Sequence, residues 1–219
     1  MSLPFDSSLW QTLVLDLLPF DANTAIRGFL NGQFPQADDY GKIGWHAPAK
    51  RGVLPIENFH VSKNLRRLVN QDKFEVRIDT AFEEVIRNCS NRQETWLNES
   101  IIKVYRELNA RGIAHSIEVW QAEKLVGGLY GVAFGGYFQG ESQFSLISNG
   151  SKVALVQTLR LLKAHGFQLH DTQHISAHLE KFGGFEMQRE EFNARLIEAV
   201  VNGASFPEPG LLDNTQLEW

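Results

Sequence analysis

One cysteine, Cys89, is all that this chain of 219 residues carries. That excludes an internal disulfide framework and a zinc cluster built on cysteines. No stretch approaches the ~18 consecutive apolar residues of a membrane span. No basic-then-apolar leader is read at the start. A membrane partner is therefore not expected, and a cytoplasmic setting fits the cysteine usage. An excess of positive charge is missing too: 21 Lys and Arg stand against 26 Asp and Glu, a net charge of −5. Such a chain is not a generally basic nucleic-acid binder. Internal repeats and low-complexity tracts are absent. So are the glycine motifs of nucleotide binding. Gly150-Ser151-Lys152 has the wrong order for G-x-x-x-x-G-K-[ST], and no G-x-G-x-x-G occurs.

What is present is unevenly spread. Between His60 and Arg77 the basic residues Lys63, Arg66, Arg67, Lys73 and Arg77 outnumber Asp72 and Glu75. A local patch of this kind can hold phosphates even on an acidic protein. The first 58 residues are punctuated by Pro and Gly, which suggests a short irregular unit with helical pieces near 9–18 and 23–30. Beyond it the pattern is more regular. A helix capped by Ser62 is predicted over 61–69, and a strand over 74–78. Thr80-Ala-Phe-Glu83 reads as a capping box opening a helix to Cys89. Asn98 caps a helix whose apolar face is Ile101, Ile102, Tyr105 and Leu108. Strands are predicted over 115–120 and 125–133, with a short return strand at 137–139. A helix over 151–164, a strand over 167–171, a short helix near 176–182 and a helix over 190–200 follow. The tail after Gly203 reads as loose. The order β-α-α-β-β-β-α-β-α predicts an α+β fold with a mixed sheet and packed helices, residues 59–219, behind a small N-terminal domain, residues 1–58.

Two stretches offer chemistry. Phe134–Ser145 (FGGYFQGESQFS) is either a plain hairpin with Glu141 in solvent or a strand pair that aims Glu141 into a site. Its glycines let a ligand or another backbone approach closely. The second is His170-Asp171-Thr172-Gln173-His174. Histidines 170, 174 and 178 have metal-binding spacing only on one helix, and the segment reads as strand, so no metal is expected. In an extended segment Asp171 and Gln173 share a face.

These stretches, with DTAFEEVIRNCSNR (79–92), HSIEVW (115–120), LVGGLYGVAFGG (125–136), GESQFS (140–145) and DTQ (171–173), resemble the leucyl/phenylalanyl-tRNA–protein transferases of bacteria. The likeness runs in order from about Trp45 to Phe192 and is weak before that. It implies a larger domain like the acetyltransferase (GNAT-like) superfold. It also implies transfer of Leu or Phe from aminoacyl-tRNA to a protein N-terminus bearing Arg or Lys, marking that protein for degradation. No cofactor is implied, and a monomer is expected. By the same resemblance Gln173 faces the reacting amine, Asp171 supports it, and Glu141 adds negative charge. Trp45 would stack on the terminal adenosine, and Trp96 would line the pocket or core. Lys63, Arg66 and Arg67 would grip the acceptor stem. The donor pocket would draw on Leu129, Gly140, Gln143, Thr158 and His170.

The chain departs from the family pattern at several of these positions. Gln143 stands where Met is usual, and Thr158 and His170 replace larger or apolar groups. Leu146 stands for Arg, and Thr172 for Cys. A buried amide needs partners of its own, so the donor side chain is left open. Two rival readings stay open at this point: an acyltransferase of the same superfold using acyl-CoA, and a non-catalytic relative that binds tRNA or N-termini.

Overall fold

The computed structural model describes residues 14–71, 73–213, 217 and 219. The chain begins with α1 (Ala22–Leu30) and the hairpin β1 (Phe34–Ala37) and β2 (Ile43–His46). Next come β3 (Lys50–Leu54), α2 (Lys63–Val69), β4 (Glu75–Ile78), α3 (Phe82–Ser90) and α4 (Glu99–Ala110). The antiparallel run β5 (Ala114–Gln121), β6 (Lys124–Phe134) and β7 (Tyr137–Ser145) leads into α5 (Gly150–Ala164). The chain closes with β8 (Leu169–Gln173), α6 (Ala177–Glu180), β9 (Phe185–Gln188), α7 (Arg189–Val201) and β10 (Gly210–Leu211). Of the helical piece expected over 9–18, residues 9–13 lie outside the described residues, and 14–16 are helical. No helix among the described residues is long and apolar enough to cross a membrane.

Eight strands form one mixed sheet in the order β10-β4-β5-β6-β7-β8-β3-β9. Each neighbouring pair is antiparallel except β7 with β8, which run parallel. A parallel pair needs a crossover, and α5 supplies it. On one face α2 and α5 bury an aliphatic core that includes Leu65, Val69, Val156, Leu159 and Leu162. On the other, α1, α3 and α4 bury Phe29, Ile86, Ile101 and Tyr105. The α+β class and the mixed sheet expected from the pattern are both present. The boundary expected at residue 58 falls behind β3, which sits inside the main sheet between β8 and β9.

The glycine pair in LVGG has a packing reason. A Cβ on Gly127 would sit 2.6 Å from the Gly150 carbonyl carbon, so the first turn of α5 rests directly on β6.

Three local expectations are corrected. The Thr80 capping box does not form. The N-cap is Ala81, without a side-chain cap. Glu118, fully buried on β5, accepts the Ala81 N–H at 2.7 Å and the Thr80 hydroxyl, so a carboxylate distant in sequence caps α3. The return strand is also not three residues long: β7 runs on to Ser145. Finally, the described residues of the tail are packed rather than loose. Phe206 stacks on His115 at 4.1 Å, β10 pairs with β4, and Leu217 is buried.

Candidate active site

The parallel pair β7–β8 is short. Tyr137, Phe138 and Gln139 pair with Leu169, His170 and Asp171, and there the pairing ends. Both strands continue, β7 through Gly140-Glu141 and β8 through Thr172-Gln173. They splay at their carboxyl ends, where ligands bind in open sheets with helical crossovers. The β6–β7 register helps. Tyr130 faces Ser142 and Gly131 faces Gly140, so Glu141 is the extra residue of a β-bulge. Bulges re-aim a side chain. Periodicity alone could not show this, because a bulge breaks the alternation on which such a reading rests.

Glu141 and Gln173 bridge the splay. Gln173 Nε2 donates to Glu141 Oε2 at 2.7 Å, and Gln139 Nε2 donates to Glu141 Oε1 at 2.8 Å. Gln173 has φ +63°, an unusual backbone for a residue with a side chain. Its N–H donates to Asp171 Oδ1 at 2.7 Å, which holds that conformation in place. Asp171, fully buried, is in turn gripped by Arg51: Nε to Oδ1 at 2.8 Å and Nη2 to Oδ2 at 2.6 Å. The Tyr137 hydroxyl lies 2.7 Å from Asp171 Oδ2 and 2.6 Å from Gln139 Oε1. The Arg51 guanidinium lies between the rings of Phe34 and Phe192, 4.7 and 4.9 Å from their centroids.

The titration of these groups follows from the packing. Burial pushes the Glu141 carboxyl up to about 7; the nearby Asp171 charge works in the same direction, and the Tyr105 hydroxyl and the Gln173 and Gln139 amides work against it. Burial alone would lower Arg51, but the Asp171 carboxylate outweighs that and holds it above the ordinary guanidinium value. Burial pushes His170 down to about 4, leaving a neutral imidazole at pH 7. Burial pushes the Cys89 thiol up to about 12, so it is an inert core residue.

A cavity of about 130 Å³ opens at the splay. Leu129, Gly140, Glu141, Gln143 and His170 are in its wall, with Leu155 and Leu179 supplying apolar surface. The Tyr130 hydroxyl and His170 Nδ1, both buried beside it, have no partner among the described residues. Thr158 is not in this wall; its hydroxyl returns to the Ala154 carbonyl at 2.8 Å. The three spaced histidines are divided between elements: His170 on β8, His174 beyond its end, and His178 on α6.

Trp45 corrects an expectation. It is buried, with Phe20 and Phe29 rings at 6.0 and 6.4 Å, and a Cβ on Gly28 would stand 1.9 Å from it. Its ring is core and leaves no face for a base. Trp96 is half-buried against the same core. Lys63, Arg66 and Arg67 are exposed on α2, and Arg66 lies over the Trp219 ring at 4.4 Å.

A family model described as Leucyl/phenylalanyl-tRNA protein transferase matches residues 53–197. The leucyl/phenylalanyl-tRNA–protein transferase of Herpetosiphon aurantiacus is 46% identical over 182 residues, covering 83% of this chain and 95% of the relative. That of Salinibacter ruber is 49% identical over 186 residues, 84% of this chain and 81% of the relative. The chain belongs to the leucyl/phenylalanyl-tRNA–protein transferase family. The transferase match takes in Gln139, Glu141, Asp171 and Gln173. Arg51 lies just ahead of it, and sequence reasoning missed it. A signal was available: of the cation pair Lys50-Arg51, Arg51 stands directly against the apolar run Gly52-Val53-Leu54.

Proposed function

We propose that this protein transfers the amino acid of a charged tRNA to the α-amine of a protein N-terminus, with the splay between β7 and β8 as the reaction site. The observation that carries this is the Gln173–Glu141 bridge beside a small cavity in a chain of this family. The leucyl and phenylalanyl donors named for the relatives, and an acceptor with N-terminal Arg or Lys, are the substrates it supports. A charged-tRNA donor supports a cytoplasmic setting for the reaction.

The chemistry asks for positioning. The donor is an activated ester, and the acceptor amine has a free pKa of about 7.7–8.0, so part of it is neutral at pH 7. The amine nitrogen attacks the ester carbonyl, and the bond to the ribose 3′-oxygen breaks. A proton from the amine ends on that oxygen. Gln173 is no base, but its Oε1 can accept from the amine and aim its lone pair. Asp171 has its oxygens filled by Arg51, Tyr137 and the Gln173 N–H, and acts by positioning Gln173. Glu141 holds the Gln173 amide so that Nε2 faces the carboxylate.

The test is to incubate the protein with a panel of charged tRNAs and a peptide beginning with Arg. The peptide is expected to gain the mass of one leucyl or phenylalanyl residue. No gain from any charged tRNA would end the proposal; tRNA binding without transfer would leave only a binding protein, and gain of an acyl group from acyl-CoA would point to a different donor.

A pH dependence follows from Glu141. The ionised carboxylate is the form that accepts both amides. Its value is raised to about 7, so activity is expected to fall as pH drops through 7, below the inflection of the amine itself. Glu141→Gln sets an amide against two amide donors, leaving one unpaired, and about 1–3 kcal/mol is lost. The variant is expected to be ~10–100-fold slower and to show the amine inflection alone. A lower inflection that survives in the variant would assign it elsewhere.

A further inference from the structure

Beside the donor cavity lies a second, larger opening of about 570 Å³. Its wall includes His60, Ser62, Asn149, Lys152, His178 and Lys181, with α2 forming one side. No carboxylate is in that wall. Neither Lys152 nor Lys181 forms an ion pair among the described residues, and Lys152 Nζ meets the Asn149 amide oxygen at 3.0 Å. On a chain of net charge −5 this is a concentrated positive recess. His178 registers the field: burial, then Lys152 and Lys181, hold its value below the ordinary one.

The placement is informative. α5 and α6 line both openings. Lys152 faces the recess, and Leu155, one turn later, faces the donor cavity. His178 and Lys181 face the recess, and Leu179 between them faces the cavity. Whatever fills the cavity therefore continues naturally across the first turn of α5 into the recess. Of the two substrates in the proposed reaction, one is a cationic N-terminus, which this recess repels. The other ends in a phosphodiester strand that carries the amino acid at its tip.

We propose that the recess lined by His60, Lys152, His178 and Lys181 is the site for the phosphates of the single-stranded 3′ end of the donor tRNA, immediately before the aminoacyl adenosine. It is separate from the exposed basic face of α2. The inference rests on the transfer reading, and the test keeps the two apart. Wild-type protein and the Lys152→Gln/Lys181→Gln variant are assayed with two donors: charged tRNA, and the same amino acid esterified to adenosine, which has no phosphate. Both side chains reach solvent, so the fold is expected to survive. With charged tRNA the KM is expected to rise about tenfold, and the salt slope of log affinity to fall by about 1.4, at ~0.7 per phosphate on a single strand. With the adenosine donor the rate is expected to stay within about twofold of wild type, because no phosphate contact is at stake. An unchanged KM and slope for tRNA would overturn the proposal, and so would equal losses with both donors. A wild-type protein inactive with either donor would remove the transfer reading, and this proposal with it.

Discussion

Replacing Gln173 by glycine is expected to lower kcat for transfer by about 10²–10³-fold, the usual cost of one preorganised hydrogen-bond partner at a reacting centre. The fold should not suffer. Gln173 sits at φ +63°, a conformation that costs a residue with a Cβ about 1–2 kcal/mol and glycine almost nothing. That relief offsets what is lost when the buried Glu141 oxygen gives up its donor, so the variant is expected to melt close to wild type. Gln173→Ala keeps the strain and loses the same amide, so it should match the glycine variant in rate and fall below it in stability. The reason for the loss is the orientation of the amide. Gln173 Nε2 is committed to Glu141, which leaves Oε1, with no partner among the described residues, as the end available to an incoming amine. KM for charged tRNA should change little, because the amide meets the acceptor rather than the donor. Steady-state kinetics with both substrates varied, beside a thermal melt, provides the check. Wild-type turnover in the glycine variant would remove Gln173 from the mechanism.

The parts of this site that were legible in the sequence are those with local causes. Ser62 and Asn98 are N-caps because each accepts a backbone N–H three residues on. The β5–β6–β7 meander follows from alternation and its turns. Asp171 and Gln173 could be paired because they lie two apart on one strand. The illegible parts are those that depend on distant segments. Arg51 and Asp171 are 120 residues apart, and only the insertion of β3 beside β8 brings them together. Glu118 displaced the local capping box because a buried carboxylate needs donors and found them at the start of α3. Trp45 carried an aromatic's usual ambiguity between base stacking and core, and Gly28 decided it by leaving space for the ring. The bulge at Glu141 is a matter of register between two strands, and one strand's sequence does not contain it.

Arg51→Met is expected to cost about 3–5 kcal/mol of stability, the penalty for stranding one partner of a buried ion pair. In a chain of this size that is a drop in melting temperature of roughly 10 °C. The side chains of both partners are almost wholly buried, 2% and 0% exposed, so solvent screens the pair little. Methionine fills similar volume and can still pack between Phe34 and Phe192, so a cavity is not the cause. What remains is Asp171, a carboxylate in the interior with a tyrosine hydroxyl and one backbone N–H as donors, and Glu141 nearby. The double variant Arg51→Met/Asp171→Leu removes both charges. Replacing a whole buried pair by apolar groups of similar volume is often neutral or stabilising, so the melt is expected to recover most of its loss. Activity is not expected to recover, because the leucine cannot hold the Gln173 N–H, and the strained backbone at φ +63° loses the contact that fixes it. Recovered stability without recovered turnover would separate the two roles of the pair: the charges serve the geometry of Gln173, and the fold tolerates their joint removal. A double variant as unstable as Arg51→Met would show instead that packing and not stranded charge sets the penalty. A double variant that transfers at the wild-type rate would show that Asp171 does not position Gln173.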